Sequence, residues 1–549
     1  MAIKKISIFN FKQQKYVLIL LAILAIAIFF RVWQLDTIPP GLYPDEAING
    51  NEAITSPGKI FYPENNGREG LFINLIAGSF SIFGISVWSI RIISALIGIL
   101  TVLGLYLLTK ELFNQDENGS RLIALLASFF LAVSFWHVNF SRIGFRAILV
   151  PFVLTFAFYF LLKGFRTQRI RTFIFSGLIF GLGFYTYIAF RLAVILLLVV
   201  LFLWWLIYKK RSLQKKFLSF VICHLSFVIL IALPIGIYFL ENPEYFVSRT
   251  AGVSVFANKT PIKALGESLI KHLGMFNFSG DFNWRHNISG SPILFWPIGI
   301  LFLVGLIISL KNIFTFLKDH NPLTTRQGKD KKYFLFFTFC FLLSWFFIML
   351  LPGILTSEGI PHSLRCIGAI PPTFIFAAIG GEFLIRKVKE KVKIKKGLLS
   401  YKLIISALVL LVISFIFAQY SRYFILWGKS PEVENAFSKN YVEIGNYLNA
   451  LEPGIQKYVI VNQSGVPVPY PAGLPMPAQT IMFVERTKFK TPKSIYLLPE
   501  DLEEIKIKNK GAIVLMQYDK DLILELWKKF PQGEIEEKNG VWVYHIETY

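Results

Sequence analysis

The sequence predicts an α-helical polytopic membrane protein that carries a small α/β domain at its C-terminal end. Three observations lead there. Hydrophobic residues make up 54% of the 549 residues, charged residues 17%, and mean hydropathy is +0.55. A soluble domain usually carries about 25% charged residues. Apolar stretches of about 18 residues or more recur along the chain, each long enough to cross a bilayer. After Tyr420 this pattern stops and short β-rich runs take over.

The first apolar run, Tyr16 to Trp33, follows the basic segment "MAIKKISIFNFKQQK", which places the N-terminus on the cytoplasmic side. The run is long, lacks a small-residue cleavage site and precedes further spans, so it reads as a retained helix and not as a signal peptide. A long outer segment, 34–87, comes next. Further spans are expected near 88–109, 121–140, 145–163, 172–190, 191–208, 217–239, 293–311, 333–352, 366–386 and 401–420, about eleven in all. "LFINLIAGSFSIFG" (Leu71 to Gly84) is too short to cross and reads as a juxtamembrane helix. Left out of the count, it puts the basic loops "KGFRTQRIR", "KKRSLQKK" and "RKVKEKVKIKK" on the cytoplasmic side, as the charge rule asks. A second outer loop spans 240–292. The chain thus divides into a transmembrane domain, 1–420, and an extracytoplasmic domain, 421–549.

In that second domain "YVIVNQ", "TIMFVE", "SIYLLP", "AIVLMQ" and "VWVYHIE" read as strands, with helices expected near 432–451 and 519–530. No internal repeat or low-complexity tract is present.

The net charge of +23 sits largely in the short basic loops, so it reports topology and not nucleic-acid binding. Cys223, Cys340 and Cys366 lie in apolar runs at unrelated spacings and suit buried packing, not disulfides or zinc. "GLGFYT" lacks a third glycine and lies inside a span. No DxD motif or Walker loop stands outside the membrane, which disfavours nucleotide-sugar chemistry.

Some cations fall on the outer side, against the trend. Arg142 and Arg146 in "SRIGFR" are four apart and share a helix face. Tyr187 and Arg191 close the turn between two spans, Arg68 precedes the juxtamembrane helix, and "SEGIPHSLR" holds Glu358, His362 and Arg365. Each arginine can snorkel to headgroups. Together they suit a membrane-borne phosphate, which guanidinium groups bind in bidentate fashion. "GLYPDEAINGNEAI" (Gly41 to Ile54) places Asp45 and Glu46 just past the first span. Acids after Pro44 suit a helix start. An ionised carboxylate there can also take a proton from an attacking hydroxyl. "GDFNWRHN" gathers Asp281, Arg285, His286 and Asn287 in one outer loop, a density that favours binding over plain connection. One Asp and one His at that spacing make a weak metal signal, and no metal or other cofactor is expected.

These stretches, with "GREGLF", "GISVWSIRIISALIGILTVLGLYLL" and "PHSLRCIGAIPP", resemble the GT-C membrane glycosyltransferases. The likeness is to bacterial relatives of the dolichyl-phosphate-mannose protein mannosyltransferases and the aminoarabinose lipid A transferases, and it covers roughly residues 16–386. It implies an inverting transfer of a sugar from a polyprenyl-phosphate donor to a hydroxyl acceptor (protein, lipid or glycan) on the outer face of the cytoplasmic membrane. It further implies that Asp45 is the base and that Arg68 contacts the donor phosphate, with Glu69 in support. Many members carry Lys-Pro-Pro or His-Pro where this chain has Arg68-Glu69-Gly70. Two other classes compete: an oligosaccharide ligase using a polyprenyl diphosphate, and a transporter or flippase of lipid-linked sugar. Transporters favour mid-membrane charges and repeated halves, which are missing here.

Overall fold

The computed structural model describes residues 11–114, 117–210, 213–318, 326–394, 398–470, 472–538 and 540–547. The basic tail at 1–10 and parts of two basic loops, 211–212 and 395–397, lie outside the described residues. The chain opens with α1 (Phe11–Val32) and α2 (Pro44–Thr55), then a two-stranded hairpin, β1 (Phe61–Tyr62) and β2 (Arg68–Glu69). Helices α3 (Leu71–Phe83), α4 (Val87–Leu112), α5 (Glu117–Val133), α6 (Phe135–Phe140), α7 (Leu149–Thr167) and α8 (Ile170–Leu182) follow. Next come α9 (Ala193–Lys210), α10 (Gln214–Glu241), α11 (Pro243–Gly252), α12 (Pro261–Gly274), α13 (Trp296–Lys318), α14 (Arg326–Ile354), α15 (Ile370–Ile394) and α16 (Leu398–Tyr420).

Nine helices among the described residues are long and apolar enough to cross a membrane. Two shorter apolar helices, Gly119–Val133 and Ile170–Tyr185, occupy the third and fifth expected spans. The chain is therefore a multi-pass membrane protein. Leu71–Phe83 is a separate short helix. Two expected spans are shorter than their apolar runs. The third breaks at Ser134, whose backbone is extended, before the buried α6. The fifth stops at Leu182 and gives way to 3-10 turns through Leu192. Both breaks bring polar residues to the same end of the bundle. The last span runs on past Tyr420 as a π-helix, Ser421–Trp427.

In lipid, helices associate by close packing and not by a hydrophobic difference. Here α13 and α15 touch backbone to backbone. A Cβ on Gly380 would stand 2.1 Å from the Leu301 carbonyl, and one on Gly305 1.8 Å from that of Phe376. Elsewhere rings fill the space: Phe158 packs against Phe180, Phe341 and Trp345.

After α17 (Pro431–Ala436) and α18 (Lys439–Ala450) comes the small α/β domain. Its elements are β3 (Gln456–Ile460), the pair β4 (Pro467–Val468) and β5 (Leu474–Pro475), α19 (Ala478–Phe489), β6 (Ile495–Leu497), β7 (Lys510–Leu515), α20 (Lys520–Lys529), β8 (Glu534–Lys538) and β9 (Val541–Glu547). The sheet order is β6-β3-β7-β9-β8, with β6, β3 and β7 parallel and β9 antiparallel to both neighbours. Alternation along β3 sends Val459 and Val461 toward α18 and α19, and Tyr458 and Ile460 toward α20.

One expected strand is a helix. "TIMFVE" lies in α19, buried nearly all round between α18 and α2, so its short apolar run carries no readable period. Conversely β8, "EIEEK", is exposed along its length and gives no apolar signal. α19 docks the domain onto α2. Asn51 Nδ2 donates to Gln479 Oε1 (2.9 Å), and Thr480 Oγ1 donates to the Leu42 carbonyl (3.1 Å).

Candidate functional site: a carboxylate among arginines at one end of the bundle

The two adjacent acids have different environments. Pro44 opens α2, and both carboxylates fall in its first turn. Glu46 is fully buried. Its Oε2 accepts from Arg91 Nε (3.1 Å) and the Gly144 N–H (2.6 Å), and its Oε1 from Arg91 Nη2 (3.2 Å). Arg91 is itself buried in α4 and also donates to the Pro39 and Gly41 carbonyls. Glu46 therefore pins α2 to α4 and to the loop after α6, and it has no oxygen left for a substrate. Asp45 is half-buried. Asn65 Nδ2 donates to its Oδ1 at 2.7 Å, and its second oxygen has no partner among the described residues.

The arginines also divide. Arg142 was expected on a donor phosphate. It is buried beneath the end of α1, donating to the carbonyls of Phe30 (3.0 Å), Trp33 (2.8 Å), Gln34 (2.9 Å) and Ile38 (2.8 Å). It ties the last turn of α1, through Phe30, to the turn that follows the helix, through Trp33, Gln34 and Ile38. Arg68 is likewise enclosed. It pairs with Glu52 at 2.5 Å, donates to Asn49 Oδ1 at 2.7 Å, and is 1% exposed. Burial raises the Glu52 carboxyl above the usual range, and Arg68 opposes that rise. Arg68 still acts through its field, which reaches both Asp45 and Arg146.

Arg146 is the open cation of the "SRIGFR" loop. Its Nε donates to Glu69 Oε2 at 2.8 Å, and its guanidinium lies 5.4 Å over the ring of Tyr187, which is nearly buried. Arg191 donates to the Phe246 carbonyl (2.8 Å), stacks on that ring at 4.2 Å, and feels Glu69. Arg285 stacks at 4.0 Å on Tyr43, two residues before Asp45. Burial and then Asp45 raise the Tyr43 hydroxyl above its ordinary value. Asp45 and Arg285 thus both adjoin Tyr43, Glu69 links Arg146 and Arg191, and Arg68 stands near both groups.

The remaining predicted residues belong to two neighbouring loops. Asp281 Oδ2 accepts from His286 Nδ1 (3.0 Å), the Ser363 N–H (2.7 Å) and Ser363 Oγ (2.9 Å). Burial would raise this carboxyl, but His286 and its hydrogen bond hold it well below the usual range. The rings of His286 and His362 stand 4.9 Å apart. Asn287 is buried and closes its own loop on the Ser291 carbonyl (2.6 Å), so it is a loop brace and not the substrate contact expected. Arg365 and Glu358 pair with each other at 3.3 Å within their loop.

Sequence reasoning passed over Arg91, Asn49, Glu52, Asn65 and Tyr43. A lone arginine inside an apolar helix was the available signal for Arg91.

Residues 71–238 match the model of the dolichyl-phosphate-mannose-protein mannosyltransferase family. No curated protein matches the chain by sequence. The fold is similar to that of ArnT from Cupriavidus metallidurans bound to undecaprenyl phosphate: TM-score 0.53, 12% identity, over 97% of this chain and 98% of that one. It is also similar to the archaeal oligosaccharyltransferase AglB from Archaeoglobus fulgidus, in complex with an inhibitory peptide and a dolichol-phosphate: TM-score 0.50, 13% identity, over 98% of this chain and 75% of that one. The likeness to these two solved structures shows that the chain has the GT-C fold, and the family match lies within it.

Proposed function

We propose that the chain transfers a sugar from a polyprenyl-phosphate carrier to a hydroxyl acceptor, with inversion at the anomeric carbon, on the extracytoplasmic face of the cytoplasmic membrane. The observation that carries this reading is the asymmetry of the acid pair. Glu46 is fully engaged, while Asp45 keeps an oxygen free beside partly open arginines. In this reading the acceptor hydroxyl attacks C1, Asp45 takes its proton, and the C1–O bond to the phosphate breaks. The leaving phosphate carries the negative charge away, so fixed cations aid its departure. Arg146, Arg191 and Arg285 supply that charge. Arg68 contributes through its field and by holding Asn49 and Glu52, and not by direct contact. The lipid phosphates in the two similar structures support a carrier of this class.

The test is incubation of purified protein with labelled sugars on polyprenyl monophosphate and diphosphate carriers. Transfer or release from the monophosphate, lost in Asp45→Asn, is the expected result. Turnover of the diphosphate alone would replace this reading with an oligosaccharide ligase.

A further inference from the structure

The last span ends irregularly, and its end reaches the outer loop that carries Arg285. Past Tyr420 the helix runs on as the π-helix Ser421–Trp427, in which Tyr423 and Trp427 are buried. Such turns are rare and frequently mark functional sites. We infer that Trp427 and Asn139 are positioning residues for the carrier phosphate: they hold the peptide of Arg285 so that its guanidinium stays on the Tyr43 ring. The inference rests on the reading above in that Arg285 meets that phosphate.

Three contacts carry it. Trp427 Nε1 donates to the Trp284 carbonyl at 2.8 Å. Asn139 Nδ2, from α6, donates to the next carbonyl, that of Arg285, at 2.7 Å. Asn139 Oδ1 in turn accepts from the Tyr423 hydroxyl at 3.3 Å. Two adjacent carbonyls of one loop are thus gripped by side chains from two different elements. Asn283 completes the hold, its Oδ1 accepting from the Arg285 N–H (3.0 Å) and Nε (3.2 Å). Arg285 is therefore fixed at its N–H, its carbonyl and its Nε, with its guanidinium 4.0 Å over the Tyr43 ring. A cation held in place before the ligand arrives gives up little rotamer freedom on binding, so it binds more tightly than a free one.

A buried indole or amide needs some partner, and packing alone would account for that need. It does not account for where these partners lie. The Trp427 ring is already held edge-on by Phe135 and Phe437. Its N–H and that of Asn139 nevertheless go to consecutive residues of the one loop that sends a guanidinium to Tyr43, two residues before Asp45. Tyr423 and Trp427 share a face of the π-helix, their ring centroids 4.9 Å apart, and Arg142 lies 5.5 Å from the Tyr423 ring. The last span, α6 and the outer loop therefore form one connected hydrogen-bonded unit, and slack in any part of it reaches Arg285.

The test measures binding of a labelled polyprenyl monophosphate, without a sugar, to the full chain in lipid nanodiscs, counting only folded protein from size-exclusion chromatography. Arg285→Gln should weaken binding by about 10-fold or more. Trp427→Phe keeps a ring and removes the indole N–H, and it should weaken binding by about 5-fold or more. Combined with Arg285→Gln it should add nothing further, because its effect passes through Arg285. Tyr208→Phe removes a buried hydroxyl bond of a similar kind, to the Phe165 carbonyl between α9 and α7, and should leave binding unchanged. Where Trp427→Phe does not fold, Tyr423→Phe removes the bond to Asn139 and makes the same comparison. Wild-type affinity in Trp427→Phe or its substitute, additive losses in the double variant, or wild-type affinity in Arg285→Gln would each overturn the inference. The expected binding pattern without any sugar transfer would support it and overturn only the transfer reading.

Discussion

Replacing Glu46 by Gln keeps the size of the side chain and removes its charge. The carboxylate it removes is fully buried and accepts three bonds of 2.6 to 3.2 Å from Gly144 and Arg91. Arg91 would remain buried, still donating to the Pro39 and Gly41 carbonyls, but without a counter-charge. Removing one partner of a buried ion pair costs about 3–5 kcal/mol. Asp45→Asn differs in kind. Asp45 is half-buried with one hydrogen bond, which an asparagine oxygen can still accept. Its stability cost should stay below about 1 kcal/mol, while loss of a general base should slow transfer by about 10²–10⁴-fold. Heating detergent-solubilised protein, followed by size-exclusion chromatography, reads the first quantity. Transfer per folded molecule reads the second. A Glu46→Gln protein as heat-stable as the wild type but inactive would refute the division of roles. So would an Asp45→Asn protein of normal rate.

Four further outcomes are expected. Arg142→Gln should destabilise the bundle, because four carbonyls at the end of α1 lose their donor, while the folded fraction keeps its donor KM. Arg146→Gln should raise the donor KM and also lower the melting temperature, since it leaves the Glu69 carboxylate, 5% exposed, without its cation. Gly50→Ala should cost about 1–3 kcal/mol and free the C-terminal domain for proteolysis, because the new Cβ would stand 2.5 Å from the Phe483 ring. Burial lowers the His272 imidazole below its ordinary 6.5, so as pH falls the unfolded chain takes up that proton first. Stability should therefore be full above about pH 6.5 and decline below it, and the decline should be smaller in His272→Gln.

Much of this was legible in one dimension. Spans were readable because lipid demands long apolar helices with internally paired backbones. The short Leu71–Phe83 helix was readable from its length, and the helix start at Pro44 from its proline and acids. The strands β3, β6, β7 and β9 showed as short apolar runs. Illegible were the segments whose surroundings are uniform: α19, buried on nearly every side, and β8, exposed on every side. In neither does burial alternate, so no period is written.

The site follows the same rule. Residue types and their nearness to span ends gathered the acids, the arginines and the loop histidines into one candidate set. The sequence alone could not say which charges remain open, because a charge is used up by partners distant along the chain. Glu46 meets Arg91 and Gly144, Arg142 meets the end of α1, and Arg68 meets Glu52 and Asn49. Chain order was enough for a membrane bundle with outward-placed charges and a small domain after it. Only the tertiary structure decided which of those charges hold the bundle together and which face a ligand, because the cost of burying a charge is met by partners that folding, and not chain order, brings within hydrogen-bonding distance.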